Sequence, residues 1–151
     1  MLGVCRQYVK DMHHAEDLLL SGFLKVFTNL HKFKHEGSFE GWIRRIMVNT
    51  CLSYLRKKNV IDLSDEDYVF NDAATESLEN TSVEDIQKLI DQLPEGYKMV
   101  FNLFAIEGYK HSEIAEKLGI SESTSKSQLF KARKLLQQNY IKMNKVVHED
   151  K

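Results

Sequence analysis

The 151-residue sequence predicts an all-α fold: two small helical domains joined by an acidic linker, the C-terminal one a helix-turn-helix. Three observations lead there. The chain has a single proline, Pro94, and seven glycines. It has no series of short alternating β-branched segments, which sets aside a sandwich or barrel. Apolar residues recur at helical spacing on either side of a stretch where that period fades. Charge is also unevenly spread beneath a formal net charge of -1. Residues 43–58 carry five basic residues (Arg44, Arg45, Arg56, Lys57, Lys58) and no acid, whereas residues 59–85 carry nine acids and no lysine or arginine. Toward the end the balance is basic again, with Lys126, Lys131, Arg133, Lys134, Lys142 and Lys145 against Glu122. Two basic blocks around an acidic spacer suggest two surfaces that face nucleic acid on a flexible tether.

A strong amphipathic helix spans about residues 11–33, its buried stripe traced by Ala15, Leu18, Leu19, Gly22, Phe23, Val26, Phe27 and Leu30. Asp11 is its expected N-cap. Residues 34–37 read as a loop, and Ser38 is positioned to cap the next helix, about 39–58. There Phe39, Ile43, Met47, Thr50 and Tyr54 trace the expected buried stripe, with Phe39 and Trp42 counted as core. At about 100° per residue, Arg45, Asn49 and Arg56 fall within roughly 40° of one another on the opposite side. Residues 59–82 form the acidic linker, which self-repulsion keeps extended and away from DNA. The second domain spans 83–143 and begins with a short helix (Ile86, Leu89, Ile90, Leu93) stopped by Pro94. The next helix holds Met99, Val100, Leu103 and Phe104 and ends near Gly108; residues 144–151 are a tail.

Residues 112–127 have the grammar of a helix-turn-helix. Ile114, Ala115 and Leu118 give the first helix an apolar stripe, with Ala115 small at the crossing. Gly119 can take the left-handed conformation that closes the turn, Ile120 plugs the corner, and Ser121 caps a second helix running to about Gln137. Residues near the start of such a helix meet base edges in the major groove, and cations farther along meet phosphate. The candidate duplex-binding residues are therefore Ser123, Thr124, Lys126, Ser127, Lys131 and Arg133.

No nucleophile set, phosphate loop or carboxylate pair stands out, so no catalytic chemistry is expected. The six histidines are scattered, and neither a cofactor nor a metal is expected. Cys5 and Cys51 show no paired or metal-type spacing and read as reduced thiols, Cys51 packed in a helix. No run reaches the roughly 18 apolar residues of a membrane span, and no leader pattern is seen, which points to the cytoplasm.

Two stretches resemble the two domains of the extracytoplasmic-function (ECF) sigma factors of bacterial RNA polymerase. One comprises Ala15-Glu16-Asp17-Leu18, Phe23, Phe27, Phe33, Trp42-Ile43-Arg44-Arg45-Ile46 and Val48-Asn49. The other runs from Leu93-Pro94-Glu95-Gly96-Tyr97 through Glu107-Gly108-Tyr109 and Glu113-Ile114-Ala115 to Lys131-Ala132-Arg133. The resemblance implies that the second domain reads the minus-thirty-five promoter element as duplex, while the first opens the minus-ten element and holds its non-template strand. Capturing a melted strand takes aromatic or amide groups for the bases beside cations for the backbone. By position, Phe33, Lys34, Gly37 and Ser38 would line a pocket for a flipped base. Asn49 would contact that base or its neighbour, and Arg44, Arg45, Arg56 and Lys57 would steer phosphates. Asp17, Leu20, Ser21 and Leu24 would face the polymerase core. The implied partners are core RNA polymerase, promoter DNA both duplex and melted, and an anti-sigma factor.

The chain departs from the family pattern in three places. Leu20 and Ser21 stand where the family has Gln and Glu, so Leu20 and Leu24 make an off-stripe apolar pair suited to a partner contact. The family's first helix is shortened here to about residues 2–10, and Ser125 occupies a position where an apolar residue is common. A helix-turn-helix regulator that does not bind polymerase core is the alternative reading.

Overall fold

The computed structural model describes residues 1–58 and 82–149, with side chains described as far as 144. The elements formed by the described residues are all helical, and no strand occurs among them. The chain divides into two compact units, Met1–Ile61 and Asp62–Lys151. The expected acidic linker, apart from Ser82, lies outside the described residues.

In the first unit, α1 (Leu2–Tyr8), α2 (Met12–Thr28) and α3 (Phe39–Lys57) pack against one another. Asp11 caps α2 by accepting the His14 N–H at 2.9 Å, and that hydrogen bond holds the Asp11 carboxyl below its ordinary range. The cap's stabilising effect is therefore present above the usual carboxylate range and is lost as the pH falls through the lowered value. The core is formed by Val4, Cys5, Tyr8, Ala15, Leu18, Val26, Met47, Val48, Cys51, Leu52 and Leu55. Gly22 is buried where α2 crosses α3, and a Cβ there would overlap Met47 Sδ. The missing side chain is thus what lets the two helices approach.

Three expectations are corrected here. The long helix ends at Thr28 and gives way to a 3₁₀ turn, Leu30–Lys32. Phe27, placed in the core by periodicity, is 71% exposed, because the buried stripe of α2 is the narrower Ala15–Leu18–Gly22–Val26 row. The buried side of α3 is Met47, Val48, Thr50, Cys51, Leu52 and Leu55, so Phe39 is not core but 45% exposed, and Ile43, Trp42 and Tyr54 are only partly covered.

In the second unit, α4 (Val83–Asp91) is capped by Ser82, whose hydroxyl accepts the Asp85 N–H at 3.2 Å. Pro94 does stop α4, and it also serves as the N-cap of α5 (Glu95–Phe101), which continues into a π-helical turn, Asn102–Ile106. A proline suits this place because its fixed φ enters a helix without needing a backbone donor. Lys98 is fully buried and donates to Asp91 at 3.2 Å. The helix-turn-helix follows as α6 (His111–Leu118) and α7 (Glu122–Glu149). Leu93, Tyr97 and Ala132 centre the core, with Phe101, Leu135 and Leu136 against them. α7 runs past the expected end near Gln137 because nothing stops it: no glycine or proline follows Gly119, and Tyr140 and Ile141 prolong the buried stripe.

Candidate nucleic-acid interface

The helix-turn-helix closes as its residue types require. Glu113 accepts the Lys110 N–H at 2.8 Å at the head of α6. Gly119 ends α6 at φ +68°, a left-handed conformation that strains residues carrying a Cβ. Ser121 Oγ accepts the Thr124 N–H at 3.0 Å and lies 2.9 Å from Ser123 Oγ and 2.8 Å from Thr124 Oγ1. These hydroxyls fix the first turn of α7.

The faces of α7 separate cleanly. Ser123, Lys126, Ser127 and Arg133 are exposed, and Thr124 and Lys131 are partly exposed. Lys126 reaches back to Glu122 at 3.2 Å, an exposed pair worth a few tenths of a kcal/mol that a phosphate would readily displace. The Arg133 guanidinium lies over the Phe104 ring at 5.6 Å. Ser125 and Gln128 are fully buried on the opposite side. Sequence reasoning missed Phe130, 65% exposed on the outward row. The i, i+3, i+4, i+7 spacing from Ser123 through Lys126 and Ser127 would have found it.

In the first unit, four aromatic rings gather where the loop meets α3. Phe39 and Trp42 stack with centroids 5.9 Å apart and planes at 16°. Phe33 lies 5.0 Å from Phe39 and 5.5 Å from Trp42, and His35 meets Phe33 edge-on at 4.9 Å. Phe33 is partly exposed; Lys34, Gly37 and Ser38 are exposed beside it. Ser38 caps α3 by accepting the Gly41 N–H at 3.2 Å. His35 has φ +58°, an uncommon backbone conformation for a residue with a side chain. Phe39 and Trp42 were not among the sequence-predicted site residues. Counting these two as core hid them.

Farther along α3, Arg45, Asn49, Arg56 and Lys57 are exposed, and Arg44 is partly exposed. Trp42 lies three residues before Arg45, so the aromatic cluster leads into the row of cations and amide. On α2, Asp17 and Ser21 are exposed together with Leu20 at 69% and Leu24 at 66%. Phe27, one turn on, extends that apolar row and was also missed as a surface residue. Among the described residues, no group of three or more His, Cys, Asp or Glu is placed to hold a metal ion.

Comparison with known proteins agrees with this architecture. Residues 1–60 match the family described as Sigma-70 region 2, and residues 83–136 match Sigma-70, region 4. The chain is 35% identical over 133 residues to RNA polymerase sigma factor SigZ of Bacillus subtilis (strain 168), covering 86% of this chain and 74% of that relative. It is 27% identical to the ECF RNA polymerase sigma factor SigM of the same organism, covering 87% and 82% of the two chains. The chain belongs to the ECF-type sigma factors. A solved structure of the sigma factor RpoE from Bartonella quintana, in complex with the anti-sigma factor NepR, shares the fold of this sigma factor. The TM-score is 0.59 at 21% identity, with 91% of this chain and 87% of that one covered. An ECF sigma factor is an initiation factor, not an enzyme: it directs core RNA polymerase to specific promoters and assists their opening. Both regions are present in order, so the matches give no support to a regulator built on the helix-turn-helix alone. No helix among the described residues is long and apolar enough to cross a membrane.

Proposed function

We propose that this ECF sigma factor divides promoter recognition between its units, residues 1–58 holding polymerase core and the melted minus-ten strand and residues 83–143 reading the minus-thirty-five duplex. The observation that carries the proposal is the solvent-facing aromatic cluster of Phe33, Phe39 and Trp42 continuing into Arg45 and Asn49. Aromatic faces left open to water beside cations suit extruded bases and their phosphates. Phe33, Lys34, Gly37 and Ser38 line the place for a flipped base; Asn49 offers an amide to that base or its neighbour. Arg44, Arg45, Arg56 and Lys57 steer the strand.

On the second unit, Ser123, Thr124, Lys126 and Ser127 address the groove, and Lys131 and Arg133 address phosphate. Phe130 supplies an apolar surface for a thymine methyl. Asp17, Leu20, Ser21 and Leu24 contact polymerase core, with Phe27 extending the apolar part. An anti-sigma factor would compete for these surfaces, and the work is done in the cytoplasm with the chromosome.

The test is promoter opening by holoenzyme, read by 2-aminopurine fluorescence in the non-template minus-ten strand. Asn49→Ala and Trp42→Ala are each expected to slow opening by about five- to tenfold, the loss of one hydrogen bond or one stacked base. Core binding should stay near wild type. Opening at the wild-type rate by both variants contradicts the assignment.

A further inference from the structure

The Phe104 ring stands where three elements of the second unit meet. It is carried by the π-helical turn Asn102–Ile106, which closes as the Glu107 N–H donates to the Asn102 carbonyl at 3.0 Å, five residues back. The wide turn buries Asn102 and Leu103 and leaves Phe104 half-buried at the edge of the solvent. Turns of this kind are rare and frequently accompany functional sites. His111, the first residue of α6, stacks on the ring at 4.6 Å with planes at 22°. Its Nδ1 shares a 2.9 Å hydrogen bond with the hydroxyl of fully buried Ser125 on α7. Eight residues farther along α7, the Arg133 guanidinium lies over the Phe104 ring, 5.6 Å from its centroid.

We propose that Phe104 is a positioning residue, a ring platform braced through His111 and Ser125 that holds the Arg133 guanidinium toward a DNA phosphate. The proposal rests on the reading of Arg133 as a phosphate contact. A free arginine side chain samples many rotamers, and ordering it at the moment of binding lowers affinity. An aromatic face within about 6 Å of the cation orders it beforehand. The ring does so without consuming a donor, because all five guanidinium N–H groups lie in the plane of the cation. Lys126 is held differently: its partner is the Glu122 carboxylate, which a phosphate has to displace. The brace starts at Ser125 and ends at Arg133, both on α7, so the platform keeps its register with the recognition helix.

The test has one arm without DNA and one with it, both on the full chain. In proton NMR, the ring current of Phe104 should shift the Arg133 side-chain methylene protons upfield. Phe104→Leu keeps apolar bulk, loses the ring and should return those protons to ordinary values; Phe104→Tyr should preserve the shift. The second arm titrates a labelled mixed-sequence duplex by fluorescence anisotropy over a range of salt. Arg133→Ala should weaken binding several-fold and lower the salt dependence of log K by about one. Phe104→Leu should weaken binding about two- to fivefold with the salt slope unchanged, because no charge is lost. Phe104→Tyr should bind as wild type does, and adding Phe104→Leu to Arg133→Ala should cause no further loss.

Equal losses from the Leu and Tyr variants, additive effects in the double variant, or Arg133 protons unmoved by Phe104→Leu would each overturn the platform. So would wild-type binding by Phe104→Leu beside a weakened Arg133→Ala, a result that leaves the DNA reading of Arg133 intact. Wild-type binding by Arg133→Ala removes that reading, and the proposal with it.

Discussion

Ser125 and Lys126 are neighbours in sequence with opposite fates. Ser125 is fully buried and shares a 2.9 Å hydrogen bond with His111 Nδ1, whose ring stacks on Phe104 at 4.6 Å. On sequence alone Ser125 read as a lost apolar contact worth on the order of 1 kcal/mol. The serine instead ties α7 to the head of α6, which no propensity scale reports. Ser125→Ala leaves the imidazole without that partner and should destabilise the second unit by about 1–3 kcal/mol in chemical denaturation. An unchanged midpoint would show the bond to be dispensable. Lys126 points outward, held only by its exposed pair with Glu122. Lys126→Ala should weaken binding of a minus-thirty-five duplex several-fold, lower the salt dependence of log K by about one, and leave single-strand binding alone. A variant that binds duplex as tightly as wild type, with the same salt slope, places Lys126 outside the interface.

At the scale of elements, α2 shows how far periodicity reaches. Ala15, Leu18, Gly22 and Val26 are buried as their spacing requires, yet Leu20, Leu24 and Phe27 form a second, outward apolar row. Such a row costs solubility unless a partner covers it. Leu24→Asp should lower affinity for core polymerase at least tenfold in a pull-down titration while the helical circular dichroism stays unchanged, since the side chain makes little contact within its own unit. Full core binding by that variant would remove α2 from the docking surface. Much of the element structure was legible. The Asp11, Ser38 and Ser121 caps, the left-handed Gly119 and the outward row of Arg45, Asn49 and Arg56 all follow from local chemistry. The misreadings have one physical origin. An apolar residue at helical spacing is buried only if another element lies opposite, and a helix's own sequence does not say where its neighbours end. Phe27, Phe39 and Trp42 were assigned to the core on spacing and hydrophobicity, and Phe130 was overlooked altogether. The extension of α7 beyond Gln137 has a separate cause: the polar run Gln137-Gln138-Asn139 looks like a helix end but carries no glycine or proline to make one.

On the scale of the whole molecule, each unit has its own core and its own outward cationic helix, and each matches a separate region of the sigma-70 family. Such a design asks one small chain to engage both core polymerase and promoter DNA. Transcription in vitro by purified core polymerase on a promoter library tests that claim most directly. The account predicts run-off transcripts from a defined promoter set only when the chain is present, with the chain co-eluting with core polymerase. Duplex binding by a chain that neither associates with core polymerase nor yields a promoter-specific transcript would contradict it.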